Sequence, residues 1–353
     1  MKTYNNLYRE LCSEENLFLA YRKARKGKSK KKSVLEFEKN LDYELRTLRE
    51  ELLSKTYMPK PLKRFIVRDP KTRTIHASAF RDRIVHHLII FIIRPIFERI
   101  FIYDSFASRI GKGTHSAIKR FDYFKRKVSR NGKCVKNSRN NNSVEGYVLK
   151  ADIKHYFDTI DHRILIDMIR EKIKDEELIW LIKKVLENFD SSVIGKGMPL
   201  GNYTSQFFAN VYLNKIDYFV KHELRAKYYL RYVDDFVILH RSKKRLEYFR
   251  KEIESFLKGL KIELHPDKTN ISPLQKGTQF LGYRIFYHHK LLRKRNLYKF
   301  RKNLDKRLEL LKEGMIDKTN ILESLQGWFG YAQWANTFKL RENILREINS
   351  VKN

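Results

Sequence analysis

The chain has 353 residues, with 75 Lys and Arg against 41 Asp and Glu, a formal net charge of +34 spread along its whole length. A surplus of this size suits a polyphosphate partner such as a nucleic acid, and 42% hydrophobic residues are enough for real cores, in more than one domain. Cys12 and Cys134 are the only cysteines, which excludes a disulfide framework and a thiolate metal site and fits a reducing interior. The opening residues do not read as a secretory leader, so a cytoplasmic location is expected.

Arg22 to Lys32 is almost continuously basic and reads either as a solvated face or as a docking surface. Ser33 is expected to cap a helix, with Glu36 completing a capping box and Phe37, Leu41, Leu45, Leu48 and Leu52 as its apolar stripe. Pro59, Pro61 and Phe65-Ile66-Val67 start an extended region that turns at Asp69-Pro70. Ile84 to Tyr103 is very apolar, but His86, His87, Arg94 and Pro95 interrupt it, which predicts a buried helix followed by a kink or turn, not a membrane span. Asn131 to Gly146 is polar, Asn-rich and aperiodic, and reads as a surface loop.

Tyr147 to Ile153 is a short apolar strand carrying Asp152 near its end. Helical stretches follow, including a long one over Thr204 to Leu224. Tyr229–Val233 and Phe236–His240 then read as two strands, with Asp234-Asp235 as the two-residue turn between them. Glu247 to Gly259 places Phe249, Ile253, Phe256 and Leu257 at helical spacing, and Ile262 to His265 is expected to close the sheet. Beyond it, Leu297, Phe300, Leu304, Leu308 and Leu311 mark a basic amphipathic helix ending at Gly314, and Trp328–Phe338 and Lys339–Ile348 supply more helix.

The order β-α-β-β-α-β is that of a split βαβ sheet, in which the first strand lies beside the hairpin. Asp152 would then face Asp234 and Asp235. An acidic turn on a surface would explain the adjacent pair alone, but not the third carboxylate. Three carboxylates so arranged can hold two Mg²⁺ ions about 3.5–4 Å apart, the arrangement that drives in-line phosphoryl displacement. Substrate phosphates complete such a site, because magnesium takes few protein carboxylates. The chemistry is nucleotidyl transfer.

These features resemble a reverse transcriptase from about Val34 to the end of the chain. Tyr232-Val233-Asp234-Asp235 resembles the family's Tyr-x-Asp-Asp box, and Asp152 lies in its first-aspartate motif. Arg73–His87 and Ser105–His115 resemble the fingers segments, while His265–Thr269 and Phe280–Tyr283 resemble the two motifs leading into the thumb. In Gly197–Gln206, Leu200 stands where most of the family has Gln, and Ser205-Gln206 replaces Ser-Pro. That combination is similar to the reverse transcriptases of diversity-generating retroelements, as is Trp328–Phe338. A group II intron-like, retron or abortive-infection enzyme, and a non-catalytic nucleic-acid-binding scaffold, are the rival readings.

The resemblance implies an α+β right-hand polymerase: a basic segment at 1–33, fingers at 34–145 with the loop 131–146, a split-βαβ palm at 146–287 and a helical thumb at 288–353. It implies that Asp152 and Asp234 bridge the Mg²⁺ ions, with the Ile153 carbonyl a further ligand and Asp235 assisting. Arg68 and Arg73 are candidates for the triphosphate of the incoming dNTP, with Lys63, Arg64 and Lys71 close by, and Gly201 belongs to the same pocket. Phe157 would exclude a 2′-hydroxyl, or else is a plain core residue. Lys268 would protonate the departing pyrophosphate, or else is a surface lysine. Template and primer contacts fall to Ser205, Gln206, Tyr232, Leu281 and Gly282. Leu200 goes in this group with errors opposite template adenines, since an aliphatic side chain cannot distinguish donor from acceptor patterns; the alternative is a packing variant. The implied partners are a template-repeat RNA, its cDNA and a small pentameric accessory protein, with no membrane.

Overall fold

The computed structural model describes residues 2–68, 72–134, 143–191 and 193–351. The turn at Asp69-Pro70 and the middle of the Asn-rich loop lie outside them. Helices α1 (Leu7–Leu11) and α2 (Glu14–Arg25) open the chain, with Ser13 capping α2 by accepting from the Asn16 amide at 3.3 Å. The expected single helix from Ser33 is two: α3 (Lys32–Glu38) and α4 (Leu41–Leu53). Ser33 falls inside α3, whose N-cap is Lys31 with no side-chain cap bond, so no capping box forms. The apolar stripe runs across the break because the two helices pack together.

Strands β1 (Lys63–Val67) and β2 (Arg73–Ala77) form an antiparallel pair, and α5 (Phe80–Glu98) follows with Pro95 in its last turn. Then come α6 (Thr114–Val128), β3 (Tyr147–Asp152), α7 (Tyr156–Thr159), α8 (His162–Arg170), α9 (Glu176–Glu187) and α10 (Tyr203–Tyr218). The last of these passes into a π-helical turn at Phe219–Glu223. The hairpin strands are β4 (Tyr229–Tyr232) and β5 (Asp235–His240), followed by α11 (Lys243–Gly259), capped by Ser242. β6 is Asn270–Pro273. A three-stranded meander, β7 (Thr278–Phe280), β8 (Tyr283–Ile285) and β9 (Lys290–Leu292), leads to α12 (Lys294–Lys312), α13 (Lys318–Ala332) and α14 (Phe338–Ser350). The helix expected over Trp328–Phe338 is broken: α13 ends at Ala332 and α14 starts at Phe338, where the Thr337 hydroxyl donates to the Ala332 carbonyl at 2.7 Å.

The central sheet has the order β4-β5-β3-β6, all antiparallel. Its closing strand is Asn270–Pro273, not Ile262–His265; that earlier segment contributes only the bridge between Leu264 and Ile153. Both faces of the sheet are covered. Leu149, Ala151, Tyr229, Phe236 and Ile238 point into a core shared with α1–α5 and α8–α11, while Val148, Leu230, Val237 and Leu239 point into a second core under α6 and the meander. Two-sided burial is why these strands read as continuous apolar runs. Each such side chain contributes on the order of 2 kcal/mol. The basic N-terminal helices belong to the first core, through Tyr8, Leu11, Leu17, Tyr21 and Ala24. The last three helices close a third core of their own around Leu304, Leu308, Ile321, Leu325 and Ile344.

Candidate active site

The sheet register brings the three aspartates to one end. Asp152, the last residue of β3, pairs directly with Asp235, the first of β5, and Asp235 pairs in turn with Tyr232 of β4. The two-residue turn is therefore Val233-Asp234, one residue earlier than the sequence suggests. Val233 has φ 55°, a left-handed conformation that a β-branched residue resists. Strain of this kind persists only where the surroundings over-determine it. The Asp234 carbonyl accepts from the Ile153 amide at 3.2 Å, tying the turn to the end of β3, while the His265 amide donates to the Asp152 carbonyl at 2.7 Å.

Electrostatics at this end are tense. Burial, then the Asp152 charge, raises the Asp234 pKa, with Lys268 and Arg73 pulling it down. Asp235 is pushed up to about 6, first by burial, with Lys150 opposing and Asp152 and Asp234 adding to the rise. Lys268 Nζ lies 2.7 Å from Asp152 Oδ1, and Lys150 Nζ lies 3.4 Å from Asp235 Oδ1. Among the described residues no three acidic, imidazole or thiol side chains already enclose a cation site. The donor chemistry nonetheless fits a hard divalent ion: Asp235 Oδ1 is buried and meets Lys150 only as an ion pair, without a well-directed hydrogen bond, and the crowded carboxylates lean on lysine ammoniums. Magnesium asks for few protein oxygens and leaves the rest to water and phosphate.

A cleft of about 750 Å³ opens over the aspartates. Its lining includes Arg73, Ile153, Phe157, Leu200, Gly201, Ser205, Gln206, Tyr232, Lys268 and Leu281. Arg68 stands exposed at the outer end of β1 and is not part of this lining. Gly282 is also outside it; with Leu281 it makes the β7–β8 turn, both at positive φ, and its carbonyl accepts from Tyr331 Oη at 2.6 Å.

The walls are held by the backbone. The His76 amide donates to the Leu200 carbonyl at 3.0 Å, docking β2 onto the Gly197–Gln206 segment and so placing Arg73 over the cleft. Gly201 has φ 115°, and a Cβ there would meet Ile75 Cγ2 at 2.8 Å, so this approach requires glycine. The Phe157 carbonyl accepts from the Met198 amide at 2.7 Å, and its ring meets Tyr156 edge-on at 5.4 Å. Gln206 reaches across to Ser108, at 3.3 Å. Tyr232 Oη is 3.2 Å from Thr114 Oγ1.

Two buried polar networks beneath the cleft escape a reading of the sequence. In one, His86 bridges Ser78 Oγ at 2.9 Å and Thr204 Oγ1 at 2.7 Å, while Ser78 Oγ also donates to Asn202 Oδ1 at 2.7 Å. This joins α5 to the start of α10. In the other, Arg231 and Asp217 form a fully buried ion pair at 2.6 Å. The only sequence signal for the latter is an arginine inside an apolar strand.

The three aspartates gathered at one end of the sheet beneath a cleft make this the candidate active site, and the sequence comparison gives the family. Residues 60–285 match the reverse transcriptase (RNA-dependent DNA polymerase) family, more than half of the chain. The chain belongs to that family, and its enzymatic class is RNA-directed DNA polymerase. Protein YkfC of Escherichia coli (strain K12) is 30% identical over 299 residues, 73% of this chain and 74% of its own. The group II intron-encoded protein LtrA of Lactococcus lactis subsp. cremoris is 25% identical over 359 residues, covering 80% of this chain and 57% of LtrA. Among solved structures, telomerase from Candida albicans in complex with a telomeric RNA fragment superposes with TM-score 0.48 at 11% identity, over 70% of this chain and 50% of that one. No helix among the described residues is long and apolar enough to cross a membrane.

Proposed function

We propose that this chain makes error-prone cDNA from a template-repeat RNA, with mistakes concentrated at template adenines, as part of a diversity-generating retroelement. In this reading the β1–β2 hairpin and α5 are fingers, the central sheet is the palm and α12–α14 are the thumb of a right hand. Asp152, Asp234 and the Ile153 carbonyl would hold two Mg²⁺ ions, with Asp235 assisting. When bound, these supply charge neutralisation and activation of the primer hydroxyl for attack on the α-phosphate. The chain's own part is placement and preorganised charge. Arg73 reaches the cleft beside Asp234 and suits triphosphate oxygens. Phe157, backed by Tyr156 and pinned through its carbonyl, is placed to press on the sugar where a 2′-hydroxyl would project. Lys268, now on Asp152, is the proton donor for the departing pyrophosphate. The partners of this reading are the template RNA and a small pentameric accessory protein.

One observation carries the proposal: the cleft that holds the three aspartates also contains Leu200. An aliphatic group there fills volume without reading donors and acceptors, and the loss of one polar contact relaxes discrimination by roughly tenfold or more. Sequencing cDNA made on a four-base RNA template tests it. Wild type should err mainly opposite adenine, and Leu200→Gln should lower that error severalfold. Unchanged adenine errors in the variant would remove Leu200 from the explanation. The similarity to LtrA favours a second reading, an intron-type enzyme, for which wild-type cDNA would be accurate at all four bases.

A further inference from the structure

We infer that Arg231 is a positioning residue for the catalytic turn, holding the Val233 carbonyl and thereby the place of Asp234; the inference rests on the polymerase reading of the aspartates. The guanidinium is completely buried, and so is its partner Asp217 on α10. Its five N–H groups are all used. Nε donates to Asp217 Oδ1 at 2.7 Å and Nη2 to Asp217 Oδ2 at 2.6 Å, a bidentate fork. Nη2 also donates to Ser105 Oγ at 3.2 Å, and Nη1 to Asn210 Oδ1 at 3.1 Å. The remaining bond runs from Nη1 to the Val233 carbonyl at 2.9 Å.

That last bond is the informative one. A buried ion pair alone is weak evidence of anything, because desolvation cancels most of its attraction. Here the fork is fixed from three sides before it meets the turn. Asp217 is itself bonded by Tyr229 Oη at 2.6 Å, and Asn210 donates to the Ala107 carbonyl at 2.8 Å. The Arg231 amide donates to the Asp104 carbonyl at 2.9 Å, and its carbonyl accepts from the Phe106 amide at 3.0 Å. The donor aimed at Val233 therefore has little freedom, and Val233 is the strained residue whose next neighbour is Asp234. Ala107 and Ser108, at the end of the same bridged segment, line the cleft. One planar cation thus fixes the turn and one cleft wall together. Lysine offers three donors on a flexible stem and cannot reproduce the fork.

The test uses the full-length chain and two variants. Replacing both partners, Arg231→Met with Asp217→Leu, removes the ion pair without leaving a lone buried charge. Arg231→Lys keeps the charge and loses the geometry. Thermal unfolding, hydrogen exchange over residues 229–240, and steady-state dNTP incorporation are measured together. For the double variant we expect a cooperative melt, faster exchange at Tyr232–Asp235, kcat lower by roughly tenfold or more and a dNTP KM within about twofold of wild type. A purely structural pair would instead give wild-type exchange and wild-type kcat once folding is restored, which would overturn the inference. If the double variant does not fold, the Arg231→Lys chain decides by the same two readouts. Adding Val233→Gly to it should recover part of the lost kcat, because glycine accepts the left-handed turn without a pin. No recovery, with exchange unchanged, counts against the inference. A wild-type chain that incorporates no dNTP would defeat the polymerase reading, while the exchange data would still report on the turn.

Discussion

Among single side chains, Phe157 makes the most direct prediction. It lines the cleft five residues after Asp152, braced by Tyr156, whose hydroxyl is anchored to the Ala209 carbonyl at 2.7 Å. Phe157→Ala should admit ribonucleotides, lowering the preference for dNTP over rNTP by roughly tenfold to a hundredfold, as competing incorporation assays measure. An unchanged ratio would make it a packing residue. Asp152, Asp234 and Asp235 stand out in the sequence as charges at the ends of apolar strands, whereas Leu200 stands out only through the resemblance, as an aliphatic residue where most of the family has Gln. Arg231 was not legible in either way. Its meaning comes from Asp217, Asn210 and Ser105, which are 14, 21 and 126 positions away.

Elements were readable where one face is wet and uncertain where both are dry. The amphipathic helices α11 and α12 lie where their apolar spacing puts them. The hairpin is one residue off because β4 and β5 are buried on both faces and so carry no alternation to fix register. Turn chemistry favoured Asp-Asp over a valine in the left-handed region, yet the structure has Val233 there. The join between α5 and α10 makes a pH prediction. Burial first, then His87 and Arg83, lowers the His86 pKa to about 3. The unfolded chain therefore binds more protons than the folded one between roughly pH 6.5 and pH 3. Stability from this group is complete above pH 6.5 and is lost as pH falls through that window, by at most about 1.4 kcal/mol per pH unit. His86→Gln can keep the contacts to Ser78 and Thr204 without titrating. Its urea midpoint should fall less between pH 7 and pH 5 than that of wild type; equal slopes would contradict the assignment.

At the scale of the whole molecule, part of the large charge surplus is crowded where the N-terminal helices meet α5. Lys28 is lowered by burial and then by Arg83 and Lys31, and His87, lowered to about 4, by burial and then by Lys28, Arg94 and Lys23. Cations of α2, the segment after it and α5 thus crowd one another, a cost that a bound polyanion relieves. The basic run at Arg22 to Lys32, open in the sequence between a solvated face and a docking surface, shows charge on one side only, while Tyr21 and Ala24 of the same helix enter the main core. Neutralising Lys23, Lys28 and Lys31 together with Gln should weaken binding of single-stranded RNA and reduce the slope of log K against log salt by about 2. An unchanged slope would place the RNA elsewhere.

The aspartate cleft is tested most directly by extension of a primer on an RNA template by the purified chain, with Mg²⁺ and dNTPs present or withheld, beside Asp234→Asn. cDNA should form only with both, and product should fall by a factor of roughly a thousand or more in the variant, the scale on which lost charge stabilisation acts. Product that persists in Asp234→Asn at wild-type rate would contradict this assignment, because the chemistry would then lie outside the aspartate cleft.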